Sequence, residues 1–298
     1  MTKAIRIHET GGPEVLRWEE VDVGAPGAGE ARLKQTAVGL NYLDVYHRSG
    51  LYPLPAVPAV IGMEAAGTVE AVGEGVTGLK VGDRVAYAAP PPGAYAEERN
   101  MPADRLIKLP PDISDQQAAA MMLQGMTVHY LIRRTYRVKK GDTVLFHAAA
   151  GGVGLIACQW LKRLGVTVIG TVGTEEKAEL ARAHGCTHVV NYQSEDFVER
   201  VKEITDGEGV RVAYDSVGKD TFEGSLSCLA PMGMMVTFGN ASGPVPPFDL
   251  GRLAALGSLF ITRPTLMTYT AKRKDLETSA NELFEAVLSG AVKIEVNQ

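Results

Sequence analysis

The sequence has no uninterrupted apolar run long enough to span a bilayer, and no N-terminal stretch with the charged, apolar and small-residue order of a signal peptide. A cytoplasmic protein without a membrane partner is therefore expected. Cysteine is scarce: Cys158, Cys186 and Cys228 are too widely separated for a disulfide framework or a paired metal knuckle, and they read as buried, unreactive thiols. A basic block is also missing, since the net charge of -5 comes from acids and bases interspersed along the chain. That disfavours nucleic acid as a partner. No internal repeat and no low-complexity tail is present.

What remains is a globular composition. With 298 residues, 45% of them hydrophobic, the chain can form two ordinary domains, each with its own core. Up to about residue 124 it consists of short strand-like runs broken by glycine and proline, at 4–8, 32–38, 67–72, 84–88 and 106–109. From about residue 125 strands and helices alternate, the pattern of parallel βαβ units in a doubly wound α/β domain. Strands are expected at 143–147, 166–172, 187–191, 210–216, 234–238 and 258–262, with helical spacing at 197–204 and 222–229. The chain turns helical again at 276–288 and closes on 292–296.

Between the first two of these strands lies Ala148-Ala149-Ala150-Gly151-Gly152-Val153-Gly154. Glycine at a strand-to-helix turn lets main chain approach a pyrophosphate, whose charge meets the free N–H groups and positive end of the helix. Gly151 and Gly154 occupy the second and third positions of the dinucleotide glycine pattern, with Ala149 in the first. Such strings also occur where a helix packs tightly on a sheet. The preceding apolar strand and the βα units that follow favour a nucleotide. An acid at the end of the second strand would bind a ribose 2'-hydroxyl, but the chain has Gly170-Thr171-Val172-Gly173-Thr174 there. That leaves room for a 2'-phosphate, with Lys177 in the next helix's first turn, and selects NADPH. Lys177 is otherwise an ordinary solvated lysine, and Glu175 and Glu176 are first-turn acids behind the N-cap Thr174.

These residues resemble the quinone oxidoreductases, the ζ-crystallin-like group of the medium-chain dehydrogenase/reductase superfamily. The resemblance rests on Gly141-Asp142 leading through the glycine string to Gln159, and on the block from Asn41 to Tyr52. Gly125-Met126-Thr127, Asn191-Tyr192, Tyr214-Asp215-Ser216-Val217-Gly218, Phe238-Gly239-Asn240 and Thr262-Arg263-Pro264 extend it over essentially the whole chain. It implies a GroES-like β-rich catalytic domain over 1–124, a Rossmann NADPH-binding domain over 125–264, and a return to the catalytic domain over 265–298, with the cofactor in the interdomain cleft. Family members usually continue past Asn297-Gln298 with another helix and strand, so this return appears shortened. By resemblance, Asn41, Tyr46 and Thr127 line the nicotinamide end, and Gly151, Gly152, Val153 and Gly173 approach the cofactor's phosphates. Lys177 and Tyr192 hold the 2'-phosphate, while Phe238, Gly239, Asn240 and Arg263 border the cofactor. The superfamily's zinc enzymes place a cysteine near 38–41 and a histidine before Glu64. Met63 stands in the latter place and no cysteine lies in the first domain, so no metal is expected.

Two-electron reduction of a quinone asks the protein chiefly for positioning, because the cofactor supplies the difficult chemistry. Asn41, Tyr46, Tyr52 and Thr127 are the candidate catalytic residues. Tyr46 and Tyr52 can stack on a planar ring or donate to its carbonyl, or simply pack against a wall; Asn41 and Asp44 also suit a helix start. Glu64 reads as a buried hydrogen-bonding group and His147 as structural. The leading function is NADPH-dependent, zinc-independent quinone reduction. Reduction of α,β-unsaturated carbonyl compounds such as alkenals is the enzymatic alternative, and a non-catalytic NADPH-binding structural or RNA-associated protein is the alternative of another class. The late strands leave an edge able to pair across a two-fold axis, and the resemblance points to a homodimer.

Overall fold

A computed structural model describes residues 1–296; Asn297 and Gln298, the last two of the expected return segment, lie outside the described residues. The chain divides into two compact units, one formed by Met1–Met126 with Thr270–Leu288 and the chain from Ile294, the other by Thr127–Tyr269 with Ser289–Lys293. Among the described residues no helix is long and apolar enough to cross a membrane.

The first unit is built on strands β1 (Thr2–Ile7), β2 (Arg17–Val21), β3 (Glu30–Gly39), β4 (Ala59–Val60), β5 (Glu64–Val72), β6 (Arg84–Ala88), β7 (Glu98–Pro102) and β8 (Ile107–Lys108). They form antiparallel sheets in the orders β2-β1-β4 and β7-β3-β5-β6-β8. Leu33, Val69, Val85, Tyr87, Met101 and Leu106 form a core on the larger sheet. Helices α1 (Tyr42–Ser49) and α2 (Asp115–Ala119) follow the sheet strands, and α3 (Met122–Tyr130) carries the chain into the second unit. β3 ends at Gly39 because Asn41, still extended at φ -127° and ψ 152°, becomes the N-cap of α1. Asp44 Oδ2 then accepts the Asn41 N–H at 2.9 Å, one half of a capping box.

The second unit contains β9 (Thr143–Phe146), β10 (Thr167–Val172), β11 (His188–Asn191), β12 (Val210–Asp215), β13 (Leu229–Thr237) and β14 (Phe260–Thr262). All six pair in parallel, in the order β11-β10-β9-β12-β13-β14. The order reverses between β9 and β12, the switch point of a doubly wound sheet. Helices α4 (Gly152–Arg163), α5 (Glu175–Ala183), α6 (Phe197–Ile204), α7 (Phe222–Ser227), α8 (Gly251–Ala255) and α9 (Leu266–Tyr269) accompany these strands, and α10 (Arg273–Leu288) follows in the first unit. Leu145, Ile169, Val201, Phe222 and Met235 meet in the core.

The structure departs from the sequence reading in places. β2, β4 and β7 carry no expected strand; β2 reads RWEEV, with two exposed charges and no buried residue to mark a face. β13 begins at Leu229 rather than 234, running through Pro231, a left-handed Met232 and a register shift that together hide its start. The closing segment 292–296 forms no regular element.

The turn from β9 into α4 is tight. Ala148 adopts a left-handed φ of 53°, and a methyl group on Gly154 would lie 2.4 Å from Ala148 O and 2.6 Å from Ala149 O. Gly154→Ala is therefore expected to lower unfolding free energy by about 1–3 kcal/mol through overpacking. Gly151→Ala, whose added methyl would come no nearer than 3.2 Å to Ala148 O, should cost less than half as much. Urea denaturation of the two variants checks this; equal losses would refute the packing account.

Candidate active site

In the first unit three of the expected residues come together around α1. Asn41 and Tyr46 are buried, and Tyr52 is half-buried just beyond the helix. The Tyr52 N–H donates to Tyr46 O at 3.0 Å, the Tyr46 and Tyr52 rings lie 5.0 Å apart, and Tyr42 continues the series 5.4 Å from Tyr46. Such spacing suits aromatic packing and presents a ring surface beside one polar amide.

That amide is held from beneath. Asn41 Nδ2 donates to Glu64 Oε2 at 2.6 Å, and the Leu123 N–H donates to Glu64 Oε1 at 2.7 Å. Glu64 has no solvent exposure, and burial pushes its carboxyl up to about 8 against the opposing pull of these two bonds. Asp44, also buried, accepts from Asn41 N and from the Tyr95 hydroxyl at 2.9 Å through Oδ2. Its Oδ1 has no hydrogen-bond partner among the described residues. Glu64 is the buried hydrogen-bonding group and Asp44 the helix-start residue that the sequence suggests, whereas Tyr95 and Gln124, whose Nε2 lies 3.4 Å from Asn41 Oδ1, are supporting residues that sequence reasoning did not assign. Glu64 lies 23 residues from Asn41, and nothing in the local pattern announces that contact.

In the second unit the expected cofactor residues, Thr127 apart, share one address: they follow the carboxyl ends of parallel strands. Gly151, Gly152 and Val153 start α4 after β9, with no side chain capping the helix. Gly173 follows β10, Tyr192 follows β11, Phe238-Gly239-Asn240 follow β13, and Arg263 follows β14. Gly173 is tied to Tyr192, since a methyl at position 173 would meet the phenol oxygen at 2.6 Å. Lys177 is exposed on the first turn of α5, whose N-cap Thr174 Oγ1 accepts the Lys177 N–H at 3.3 Å. No carboxylate stands at the end of β10, and the capping acids Glu175 and Glu176 are exposed. Arg263 Nη1 donates to Gly239 O at 2.9 Å and to Thr237 Oγ1 at 3.1 Å. With its amide oriented to satisfy both ends, Asn240 donates to Gly239 O and accepts from Arg263 Nη2, each at 2.9 Å. Thr127 is buried in α3.

A buried polar network underlies this edge. His147 Nδ1 meets Thr171 Oγ1 at 2.9 Å and Nε2 meets Ser225 Oγ at 2.8 Å. Asp215 accepts from the N–H groups of Val217 and Gly218 at 2.7 and 3.0 Å and from Thr221 Oγ1 at 2.7 Å. His147, Asp215 and Ser225 have no solvent exposure, so they stiffen the strand ends and cannot reach a substrate. Burial lowers the His147 pKa, which favours the neutral ring.

The pieces have close counterparts. The family model for an alcohol dehydrogenase GroES-like domain matches residues 27–111, and that for a zinc-binding dehydrogenase matches residues 152–285. The chain is 53% identical over 298 residues to a quinone oxidoreductase of Pseudomonas aeruginosa, covering 100% of this chain and 92% of that protein. It is 52% identical over 299 residues to a 2-haloacrylate reductase of a Burkholderia species, covering 98% and 90% of the two chains. The crystal structure of Escherichia coli quinone oxidoreductase complexed with NADPH superposes with a TM-score of 0.97 at 52% identity, covering 99% of this chain and 90% of that one. The first unit is thus GroES-like and the second a Rossmann domain.

The residues do not fit the zinc in one family model's description. Met63 precedes Glu64, both Glu64 oxygens accept protein N–H groups, and the three cysteines all lie in the second unit. Among the described residues no three His, Cys, Asp or Glu side chains gather as a ligand set.

Asp44 generates a pH prediction. Burial pushes its carboxyl from an ordinary 3.8 up to about 6, the bonds from Asn41 and Tyr95 opposing this only in part. A folded-state pKa above the unfolded one means that the native state holds the extra proton between those values. The resulting penalty is small near pH 4, grows up to about pH 6 and is complete above it. In Asp44→Asn one oxygen still accepts both donors and the amide replaces an oxygen that has no partner. The variant should be more stable than the parent by about 1–3 kcal/mol at pH 8 and nearly equal to it at pH 4. Urea unfolding at both pH values measures this, and a pH-independent difference would contradict it.

Proposed function

We propose, on the premise that the chain belongs to the quinone oxidoreductase family of the medium-chain dehydrogenase/reductase superfamily, that it reduces a quinone with NADPH and without zinc. One observation carries the reading. The glycines, Lys177, Tyr192 and the Phe238-Gly239-Asn240 and Arg263 cluster all follow carboxyl ends of a parallel sheet, where doubly wound folds bind nucleotides.

The N–H groups of Gly152 and Val153, exposed or half-buried and uncapped by any side chain, meet a pyrophosphate, while Gly151, whose own N–H donates to Ala148 O at 2.9 Å, lets it approach the main chain. Lys177 and the Tyr192 hydroxyl hold the 2'-phosphate where no acid ends β10, with Glu175 and Glu176 exposed to solvent on the same first turn of α5. Phe238, Gly239, Asn240 and Arg263 border the rest of the cofactor, and Asn41, Tyr46 and Thr127 line its nicotinamide end. When bound, NADPH supplies the hydride. Tyr46 and Tyr52 orient the acceptor's planar ring, and the buried hydrogen bonds beneath Asn41 keep the polar contact in place. A second reading, reduction of an activated carbon–carbon double bond, is favoured by the likeness to a 2-haloacrylate reductase. A homodimer formed through the exposed edge of β14, where Phe260 is exposed, accompanies either reading.

Calorimetric titration with NADPH and then NADH tests the cofactor assignment. NADPH should bind on the order of tenfold to a hundredfold more tightly, the worth of a charge-assisted contact to one phosphate, and Lys177→Ala should remove most of that preference. Equal affinity for the two nucleotides in the parent chain would reject the 2'-phosphate site. A panel of quinones and alkenals then separates the two acceptor classes.

A further inference from the structure

Glu64 is wholly buried at the start of β5, and each of its oxygens meets a fixed N–H donor, Asn41 Nδ2 at 2.6 Å and Leu123 N at 2.7 Å. Main chain closes in from a third side. A methyl group on Gly39 would lie 2.3 Å from Glu64 Oε2 and 2.3 Å from Ala119 O. The carboxyl therefore has no room to turn, and in its ionised form, the form to which both N–H bonds are directed and which prevails above about pH 8, it offers acceptors alone to the Asn41 amide. Neutral partners let an asparagine amide flip by half a turn; a fixed carboxylate does not, because the flipped amide would set oxygen against oxygen. Asn41 Oδ1 must then point away from Glu64, where Gln124 Nε2 lies 3.4 Å away, at the long end of hydrogen bonding.

We infer that Glu64 is a positioning residue for the reduction: it locks the Asn41 amide with its carbonyl oxygen outward, so that the site offers an acceptor to an N–H or O–H group of the nicotinamide nucleotide. This rests on the reading that Asn41 lines the nicotinamide end. Glu64 itself touches neither cofactor nor acceptor.

Glu64→Gln retains size and one acceptor. With that acceptor serving Leu123, the new amide faces Asn41 Nδ2 donor to donor, and Asn41 relieves the clash by flipping, which turns its NH2 group outward. Asn41→Asp combined with Glu64→Gln restores the complementarity in reverse: the amide at position 64 donates to a carboxylate at position 41, whose second oxygen points outward. Asn41→Asp alone sets two buried carboxylates face to face.

Thermal unfolding, NADPH affinity, kcat and KM with 1,4-benzoquinone, and NMR of the Asn41 side-chain amide in the ligand-free protein, all above pH 8 where Glu64 is ionised, form the test. In the parent chain the Asn41 amide protons should resonate downfield and exchange slowly, and Glu64→Gln should abolish both signatures. Glu64→Gln should lose on the order of tenfold to a hundredfold in kcat/KM while remaining folded, and the double variant should regain most of it. Asn41→Asp alone should be the least active. Rescue by the double variant supports positioning, because a residue that served packing alone would gain nothing from a second substitution. Undiminished activity in folded Glu64→Gln, or a folded double variant no better than that single variant, overturns the inference. A parent chain that shows the protected amide yet neither binds NADPH nor reduces the quinone overturns it differently: the locked geometry stands, and the functional reading of Asn41 fails.

Discussion

Parallel pairing places every strand's carboxyl end on the same edge of a sheet, and the chemistry of the second unit depends on that constraint. Six strands pair this way, and the loops that leave them carry Gly151, Gly173, Tyr192, Phe238 and Arg263 to a common edge without any of these residues being near another in sequence. An edge of this kind must accommodate the loop main chain. The chain does so with glycine where backbone approaches backbone, and with the buried His147, Ser225 and Asp215 bonds where strand ends need fixing. No ionisable group with access to solvent is needed for that work.

The first unit solves a different problem with a different device. Antiparallel strands give it a β-rich frame, and the turn from β3 into α1 places one buried amide beside a set of tyrosine rings. The cap on α1 and the support of Asn41 are the same set of bonds. Asp44 takes the main-chain N–H of Asn41 and Glu64 takes its side chain. Helix initiation and site geometry are thereby coupled, so a change that loosens the cap also frees the amide.

How much of this the sequence discloses depends on the range of the interaction. The helix 197–204 reads correctly to its ends because its helical spacing is local, and Asp196 caps it locally as well, accepting from Val198 and Glu199 N–H. Strand 84–88 is legible because it is a short apolar run following a glycine turn. The glycine string and the missing acid after β10 are local as well, and they carried the nucleotide reading. What escapes is set by tertiary pairing. β2 exists through its ladder with β1, since its own residues show no buried face. The bond between Asn41 and Glu64 is equally silent, as is that between Glu64 and Leu123, 59 residues apart. A glutamate in the apolar run Gly62-Met63-Glu64-Ala65-Ala66 announces that it needs a partner, not which one.

The energetic character of that glutamate explains why it is informative. Burying a carboxylate is costly, and burial drives the Glu64 pKa upward even though two N–H donors suit its ionised form. An apolar residue of similar volume would spare the fold that cost, but it would leave the main-chain N–H of Leu123 and the Asn41 amide without an acceptor. Once ionised, the carboxylate at this point has a further property that no apolar residue has: it dictates which end of the Asn41 amide faces outward. The second unit, by contrast, fixes its strand ends with a buried histidine, hydroxyls and an aspartate that accepts three short hydrogen bonds. Where the fold alone is at stake the chain surrounds its carboxylate with donors; beneath Asn41 it accepts a less comfortable carboxylate because the direction of one hydrogen bond matters there.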